Sequence, residues 1–345
     1  MKNMHLLTKA ILSWHSLTAR DLPWRGETDP YRIYVSEIML QQTRTETVKK
    51  YYGRFLLAFP DPASLAQAPQ ELVNKLWEGL GYYTRARNLV RAMQVVCEAY
   101  GGRLPESREE LKKLPGCGEY VSAAVSSIAF GKRELALDGN GVRVLSRITG
   151  ETGVSDLPAA RARLRAFGES ILPLEGAGEF NQALMGMGNL VCLPKKALCE
   201  NCPAAPWCLG HQNGNALCLP VKAPKPEKRQ ERRLIALVTD GKKVLVRKRA
   251  EKLLNGLYEF VNLPWPDGFS WRDVLAENGI AHETAQPAAD FDHVFTHLIW
   301  HMRGFTVKTD LVEREGFQAV DREQLLALPM PSAMEPFRRL ALEEI

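Results

Sequence analysis

Apolar residues recur at helical spacing through the amino-terminal part of the chain. Leu72–Leu76–Trp77, Leu89–Ala92–Met93–Val96 and Val121–Ala124–Val125–Ile128 each place their side chains on one face of a 3.6-residue period. Gly/Pro-bearing breaks at Phe59–Pro62 and Leu104–Ser107 separate such segments. Asp29-Pro30 predicts a helix start, with Asp as cap and Pro in the first turn. Ser107 and Glu110 have the spacing of a capping box and open another helix. Residues 1–218 therefore predict a mainly α domain. Between Leu219 and Arg233 the pattern gives way to LPVKAPKPEKRQERR, where three prolines and six Lys/Arg against two Glu mark a solvated linker over 219–233. Whether that linker touches a phosphate backbone or only tethers is left open. Beyond it, short β-rich runs appear at Leu234–Val238 and Val244–Arg249, joined through Asp240-Gly241, a hairpin signal. Further strands are expected at Leu257–Leu263 and Phe291–Val307, with helices near Trp271–Asn278 and Pro331–Glu344. Residues 234–345 thus predict an α+β domain.

Composition changes this picture little. At 345 residues, with 45% hydrophobic and 25% charged residues, the chain is long enough for two ordinary globular cores. No apolar run reaches the length of a membrane span, and the first twenty residues read as an amphipathic helix rather than a signal peptide. A net charge of +5 suits a polyanionic partner only where the charge is clustered.

Four cysteines, Cys192, Cys199, Cys202 and Cys208, follow the spacing C-x6-C-x2-C-x5-C. Four thiolates from one loop-rich stretch can close one metal centre. Zinc sites more often pair two C-x2-C knuckles, whereas a single C-x2-C with longer flanks suits the larger cube of a [4Fe–4S] cluster. Zinc and a pair of disulfides remain the alternatives. Together with the absent signal segment, the thiols predict a reducing cytoplasm.

Two carboxylates and a glycine turn carry the candidate chemistry. In Leu114-Pro-Gly-Cys-Gly-Glu-Tyr120, Gly116 and Gly118 let the backbone turn sharply and present N–H groups at a helix start, where a phosphate would be favoured. The same turn would also serve as a plain helix connection. Glu37 lies in Tyr34-Val-Ser-Glu-Ile-Met-Leu-Gln-Gln-Thr43, so apolar that burial is expected, and a buried carboxyl holds its proton to higher pH. A surface Glu is the bland alternative. Asp138, in Leu137-Asp-Gly-Asn140, reads from spacing alone as a helix N-cap. Histidine is absent from residue 16 to residue 210, so proton chemistry in the helical domain is expected to rest on other groups.

Taken together, these motifs resemble the endonuclease III superfamily of helix-hairpin-helix DNA glycosylases, and within it the MutY adenine DNA glycosylases. The matching stretches are Pro23-Trp-Arg25, SEIMLQQT (36–43), GLGYYTRARNL (79–89), LPGCGEY (114–120), LDGN (137–140) and the cysteine loop at 192–208. The resemblance implies base excision repair: hydrolysis of adenine paired with 8-oxoguanine, or with guanine, after the base is flipped out. It casts Glu37 as the proton donor, Asp138 as the stabiliser of the sugar cation, and Tyr120 and Asn140 as groups that orient them. Lyases of the superfamily carry a Lys where this chain has Tyr120, so strand cleavage is not expected. Trp24 and Arg25 would line the pocket, Gln42 and Tyr82 would fill or wedge the duplex, and Gly116 and Gly118 would meet phosphate.

The same resemblance makes the cofactor a [4Fe–4S] cluster and the last domain a Nudix-like module that recognises 8-oxoguanine. There Phe295, Thr296 and His297 stand for a Phe-Ser-His loop, and no acidic helix of a pyrophosphatase is seen. The expected partner is double-stranded DNA holding such mispairs, bound by a monomer in the bacterial cytoplasm at the nucleoid, with no membrane. Departures from the family pattern are Thr296 for Ser, Gly141 for an aliphatic residue, Gly186 for an acidic one, and Tyr258 and Val261 in the last domain. Rival readings are an endonuclease III-like lyase, a damage-binding protein without chemistry, and a nucleotide hydrolase.

Overall fold

Local signals in the sequence become helix caps in the structure. The computed structural model describes residues 2–18, 20–224, 226–280, 283–311 and 314–345. Asp29 accepts a hydrogen bond from the Tyr31 amide at 2.8 Å and starts the Pro30–Leu40 helix. Ser107 accepts from the Glu110 amide and starts the short Arg108–Leu111 helix. Asp138 caps Gly139–Thr149.

The chain divides into two units. The first comprises Met1–Gln67 and Arg87–Pro224, and the second Ala68–Ala86 and Lys225–Ile345. The sequence places 68–86 in the helical domain; in the structure this segment packs with the second unit. The reason is polar and long-range. Glu78 accepts from the Met330 amide and from Arg338, both at 2.9 Å, and Lys248 pairs with Glu71 at 3.0 Å.

The first unit is helical. Lys2–Thr18, Gly139–Thr149, Pro158–Ile171 and Ala177–Leu190 enclose a core that includes Ile11, Leu145, Phe180 and Met187. Helix Glu119–Phe130 packs against Pro30–Leu40 on one side and Ala177–Leu190 on the other. At that second crossing the backbones nearly touch, since a Cβ added to Gly178 would stand 2.6 Å from the Ser127 carbonyl oxygen. Asn181, fully buried, then ties in the extended stretch leading to Asp138. It accepts from the Ala136 amide and donates to the Glu134 carbonyl and the Ser127 hydroxyl.

The second unit holds a seven-stranded mixed sheet: β1 (Arg229–Thr239), β2 (Val244–Lys248), β3 (Tyr258–Glu259), β4 (Val261–Pro264), β5 (Ala285–Val294), β6 (Leu298–Lys308) and β7 (Phe317–Val320). β1 pairs parallel with β6 and antiparallel with β2 and β4. Both faces of β1 are buried. Ile235 and Leu237 join Phe337 on one side, while Leu234, Ala236 and Val238 join Val274 and Leu275 on the other, which explains its unbroken apolar run. Gly241, at φ 85°, makes the turn from β1 to β2.

Three details differ from the sequence expectation. β1 begins at Arg229, inside the stretch read as linker, because Arg229–Arg233 pair with β6 and Arg233 stacks over Trp300. The run 291–307 is two strands, broken at Phe295–His297. β7 and the Arg322–Ala327 helix were not anticipated, being short and weakly patterned.

Gly178→Ala places a methyl against backbone that cannot rotate away. We expect a loss of about 1–3 kcal/mol in stability, read by chemical denaturation of the first unit.

Candidate active site

Glu37 sits on the Pro30–Leu40 helix and is 5% exposed. It opens onto a cavity of about 710 Å³ whose lining also includes Tyr120, Asp138, Asn140, Arg25 and Trp24. The Tyr120 hydroxyl donates to Glu37 Oε2 at 2.7 Å and lies 3.0 Å from Met185 Sδ. Burial dominates the carboxyl's ionisation. Loss of water pushes its pKa up to about 7, against the opposing pull of the Tyr120 hydrogen bond and the Arg25 charge, with Asp138 adding to the rise. Tyr120 is itself raised well above its usual range by burial, so it remains a neutral donor.

Asp138 is held from two sides. Its Oδ1 accepts from the Gly141 amide at 2.7 Å, and its Oδ2 from Asn140 Nδ2 at 2.8 Å. Asn140 in turn accepts from Arg143 Nη2 at 2.8 Å. The same guanidinium donates to the Gly188 carbonyl at 2.7 Å and the Cys192 carbonyl at 2.8 Å. Arg143 was not singled out from the sequence, although its place one turn after Asn140 on a helix was a usable signal. Gly188 is required here, since a Cβ would stand 2.6 Å from Asn140 Cβ. At Gly141 the cap is intact and the space is tight, with Leu137 3.1 Å from an added Cβ.

A second missed residue is His15. It lies just outside the histidine-free stretch, yet it is 6% exposed and lines the cavity, with Gly186 beside it.

Other residues expected to meet DNA are spread more widely. Trp24 is buried and meets Tyr52 edge-on at 5.5 Å. Gln42 is exposed at the cavity mouth with φ 56°, a left-handed backbone that a non-glycine residue adopts at some cost. Gly116 has φ 78° and lies against Asn88, and Gly118 is the N-cap of Glu119–Phe130. Lys112 pairs with Glu119, and Lys113 with Glu110 at 2.6 Å, so neither amine stands in the cavity lining.

Tyr82 belongs to the second unit, at φ 48° and 49% exposed. Its hydroxyl is 3.4 Å from Thr296 Oγ1. Thr296 and His297 are exposed in the turn between β5 and β6, while Phe295 is half-buried edge-on against Trp300 at 4.9 Å. Lys228 Nζ donates to the Phe295 carbonyl at 2.7 Å, and the Arg229 amide bonds the His297 carbonyl. Within this unit, therefore, Tyr82 and the turn at Phe295–His297 are neighbours.

Cys192, Cys199, Cys202 and Cys208 line a small apolar cavity of their own, and none forms a disulfide. Burial first, and then the neighbouring thiols, raise the pKa of Cys199, Cys202 and Cys208, with Cys202 pushed up to about 11. Among the described residues, no three His, Cys, Asp or Glu side chains converge at the distance that holds a single ion. Four thiols around a cavity, rather than on a point, fit a polynuclear cluster better than one zinc ion. Arg147 donates to Cys192 Sγ at 3.2 Å, giving positive charge to a sulfur-rich centre.

The raised pKa of Glu37 carries a stability penalty. A carboxyl displaced from about 4.5 to about 7 by folding corresponds to about 3 kcal/mol at high pH. The folded state holds the proton across that window, so wild-type stability falls as pH rises through it. Glu37→Gln keeps an acceptor for Tyr120 and has no charge to bury. Its advantage over wild type is expected to be near zero at about pH 4.5 and to approach about 3 kcal/mol at about pH 8 in denaturation experiments.

Comparison with known proteins places this geometry. Residues 35–168 match the HhH-GPD superfamily base excision DNA repair proteins, and residues 234–340 match the NUDIX domain. The adenine DNA glycosylase of Rattus norvegicus is 40% identical over 211 residues, covering 59% of this chain and 41% of that protein. The chain thus spans about two fifths of the length of the mammalian relatives it matches. A solved thermostable thymine-DNA glycosylase superposes with a TM-score of 0.57 at 32% identity, over 61% of this chain and 98% of its own. The adenine DNA glycosylase of Buchnera aphidicola from Schizaphis graminum is 30% identical over 306 residues, 87% of this chain and 86% of that relative. With helical and α+β parts both matched, and one relative aligned over most of both lengths, the chain belongs to the adenine DNA glycosylase family.

Proposed function

We propose that this protein removes adenine from duplex DNA by hydrolysing its N-glycosidic bond, without breaking the strand. Its target is adenine opposite 8-oxoguanine, or opposite guanine. The observation that carries this reading is Glu37, a buried carboxyl poised at about 7 in the cavity it shares with Asp138.

Adenine leaves poorly as an anion. Protonation at N7 by Glu37 lets it depart neutral, taking the bonding electron pair with it. The sugar left behind is cationic at C1′, and the Asp138 carboxylate stabilises it by charge or by a transient covalent bond. Water then supplies hydroxide to C1′, and its remaining proton restores Glu37. Tyr120 and Asn140 set the orientation of the two carboxyls. The adenine has to leave the base stack to reach Glu37, as for enzymes acting on a base in a duplex. No amine lines the cavity except as guanidinium, which supports hydrolysis over Schiff-base chemistry among the described residues.

Preference for 8-oxoguanine rests on Thr296, whose exposed hydroxyl can accept the N7–H that only the oxidised base carries, with Tyr82 beside it. A [4Fe–4S] cluster would be held by Cys192, Cys199, Cys202 and Cys208 and would brace the loop that Arg143 joins to Asn140.

The test is single-turnover cleavage of a duplex with one 8-oxoguanine:adenine pair, developed with and without alkali. Breaks only after alkali support the reading; breaks without alkali overturn its hydrolytic part, and no product from a DNA-binding preparation overturns it altogether. The rate should fall about tenfold per pH unit above about 7 as Glu37 loses its proton. Glu37→Gln and Asp138→Asn should each slow excision on the order of a hundredfold or more.

Anaerobically purified protein is expected to contain iron and inorganic sulfide in equal amounts. Cys202→Ala should lose both, whereas a zinc-loaded wild type would sink the cluster assignment.

A further inference from the structure

His15 has no place in the mechanism above, yet its surroundings are those of a ligand-facing group. It stands near the end of the Lys2–Thr18 helix and is 94% shielded from solvent, at 6% exposure. Its ring lines the same cavity as Glu37. Among the described residues no hydrogen bond is seen to either ring nitrogen, so both are available to a group entering the cavity.

The wall opposite explains why the ring is open to the cavity. A Cβ built on Gly186 would lie 3.7 Å from His15 Nδ1 and 3.8 Å from Trp14, so any side chain longer than Ala would crowd the imidazole. Gly186 follows Met185, whose sulfur is 3.0 Å from the Tyr120 hydroxyl, itself 2.7 Å from Glu37. His15 therefore shares a wall with the proton donor. Burial first, then the Arg25 charge, hold its pKa below the usual range against the weaker pull of Glu179, leaving it neutral at pH 7. A neutral imidazole offers one donor and one acceptor.

We infer that His15 is a specificity residue of the base pocket, its unprotonated nitrogen accepting a hydrogen bond from the exocyclic amino group of the extruded adenine. This rests on the adenine-excision reading. Adenine carries its N7 acceptor and its N6 amino donor on one edge. Glu37 serves N7 with a proton, and Arg25 supplies only donors. Gln182 and Asn189 in the lining also carry acceptors, but His15 is the most deeply buried of the three. Guanine presents an oxygen at the same place and would meet the imidazole lone pair.

The experiment pairs two substrates with three proteins. Duplexes holding adenine, or purine without its amino group, opposite 8-oxoguanine are cleaved under single turnover by wild type, His15→Phe and His15→Gln. Removal of one neutral hydrogen bond predicts that His15→Phe slows adenine excision roughly tenfold, leaves purine excision within about twofold, and that His15→Gln recovers part of the loss. Equal losses on both substrates would mean a packing role, and no loss on adenine would mean no contact; either result overturns the inference. The amides of Gln182 and Asn189, also in the lining, would then be the acceptors to examine. Failure of wild type to release adenine at all would instead strike the underlying reading, so the two are told apart in the first lane.

Discussion

A carboxyl group deprived of water is the constraint on which the first unit is arranged. Glu37 can hold a proton near neutrality only because the Pro30–Leu40 helix carries it inside the fold, where Tyr120 is its hydrogen-bond partner. Tyr120 reaches it because Glu119–Phe130 lies against that helix on one side and nearly touches Ala177–Leu190 on the other, at Gly178. The second carboxylate arrives by a separate route, through a stretch pinned by Asn181 and a helix start held by Asp138 itself. Two acids are thereby placed in one cavity but in unlike surroundings: Glu37 is buried against Tyr120, while Asp138 accepts from the Gly141 amide and from Asn140. The arrangement lowers stability, as preorganised sites generally do.

Much of this was legible in the chain because it is local. Asp29-Pro30, Ser107 and Asp138 signal helix starts through contacts only a few residues apart, and Asp240-Gly241 does the same for the first hairpin. The apolar neighbours of Glu37 announced its burial. What was hidden depends on residues far apart in sequence. His15 enters the cavity because it faces Gly186 across the fold, and nothing in a short amphipathic helix reveals that. Segment 68–86 joins the second unit through Glu78 with Met330 and Arg338, a pairing no periodicity encodes. The break at 295–297 was masked because Phe295 and Leu298 continue an apolar run across a turn.

The second unit shows how a fold can be kept while its acids are put to other uses. Glu259, with no exposed surface, is saturated by Arg247, Arg249 and Asn262, in a network that also reaches Arg233. Buried ionic clusters of this kind contribute little net stability, although removing one partner alone is strongly destabilising. The Asp273 carboxylate, in the Trp271–Glu277 helix, is occupied in a reciprocal cap with Ser270. The turn bearing Thr296 and His297 is exposed, with Thr296 next to Tyr82.

In the proposed chemistry Asp138 is both helix cap and charge, and the consequence lies in genetics. Asparagine is as good a helix cap as aspartate but carries no charge, whereas alanine is neither. A lineage acquiring Asn at this position would retain a folded, abundant protein that still occupies its sites and blocks access by functional copies. One acquiring Ala would lose protein along with chemistry and leave those sites clear. Surveys that score variants by cellular abundance would rank the first as benign and the second as harmful, inverting their effect in a cell carrying both alleles.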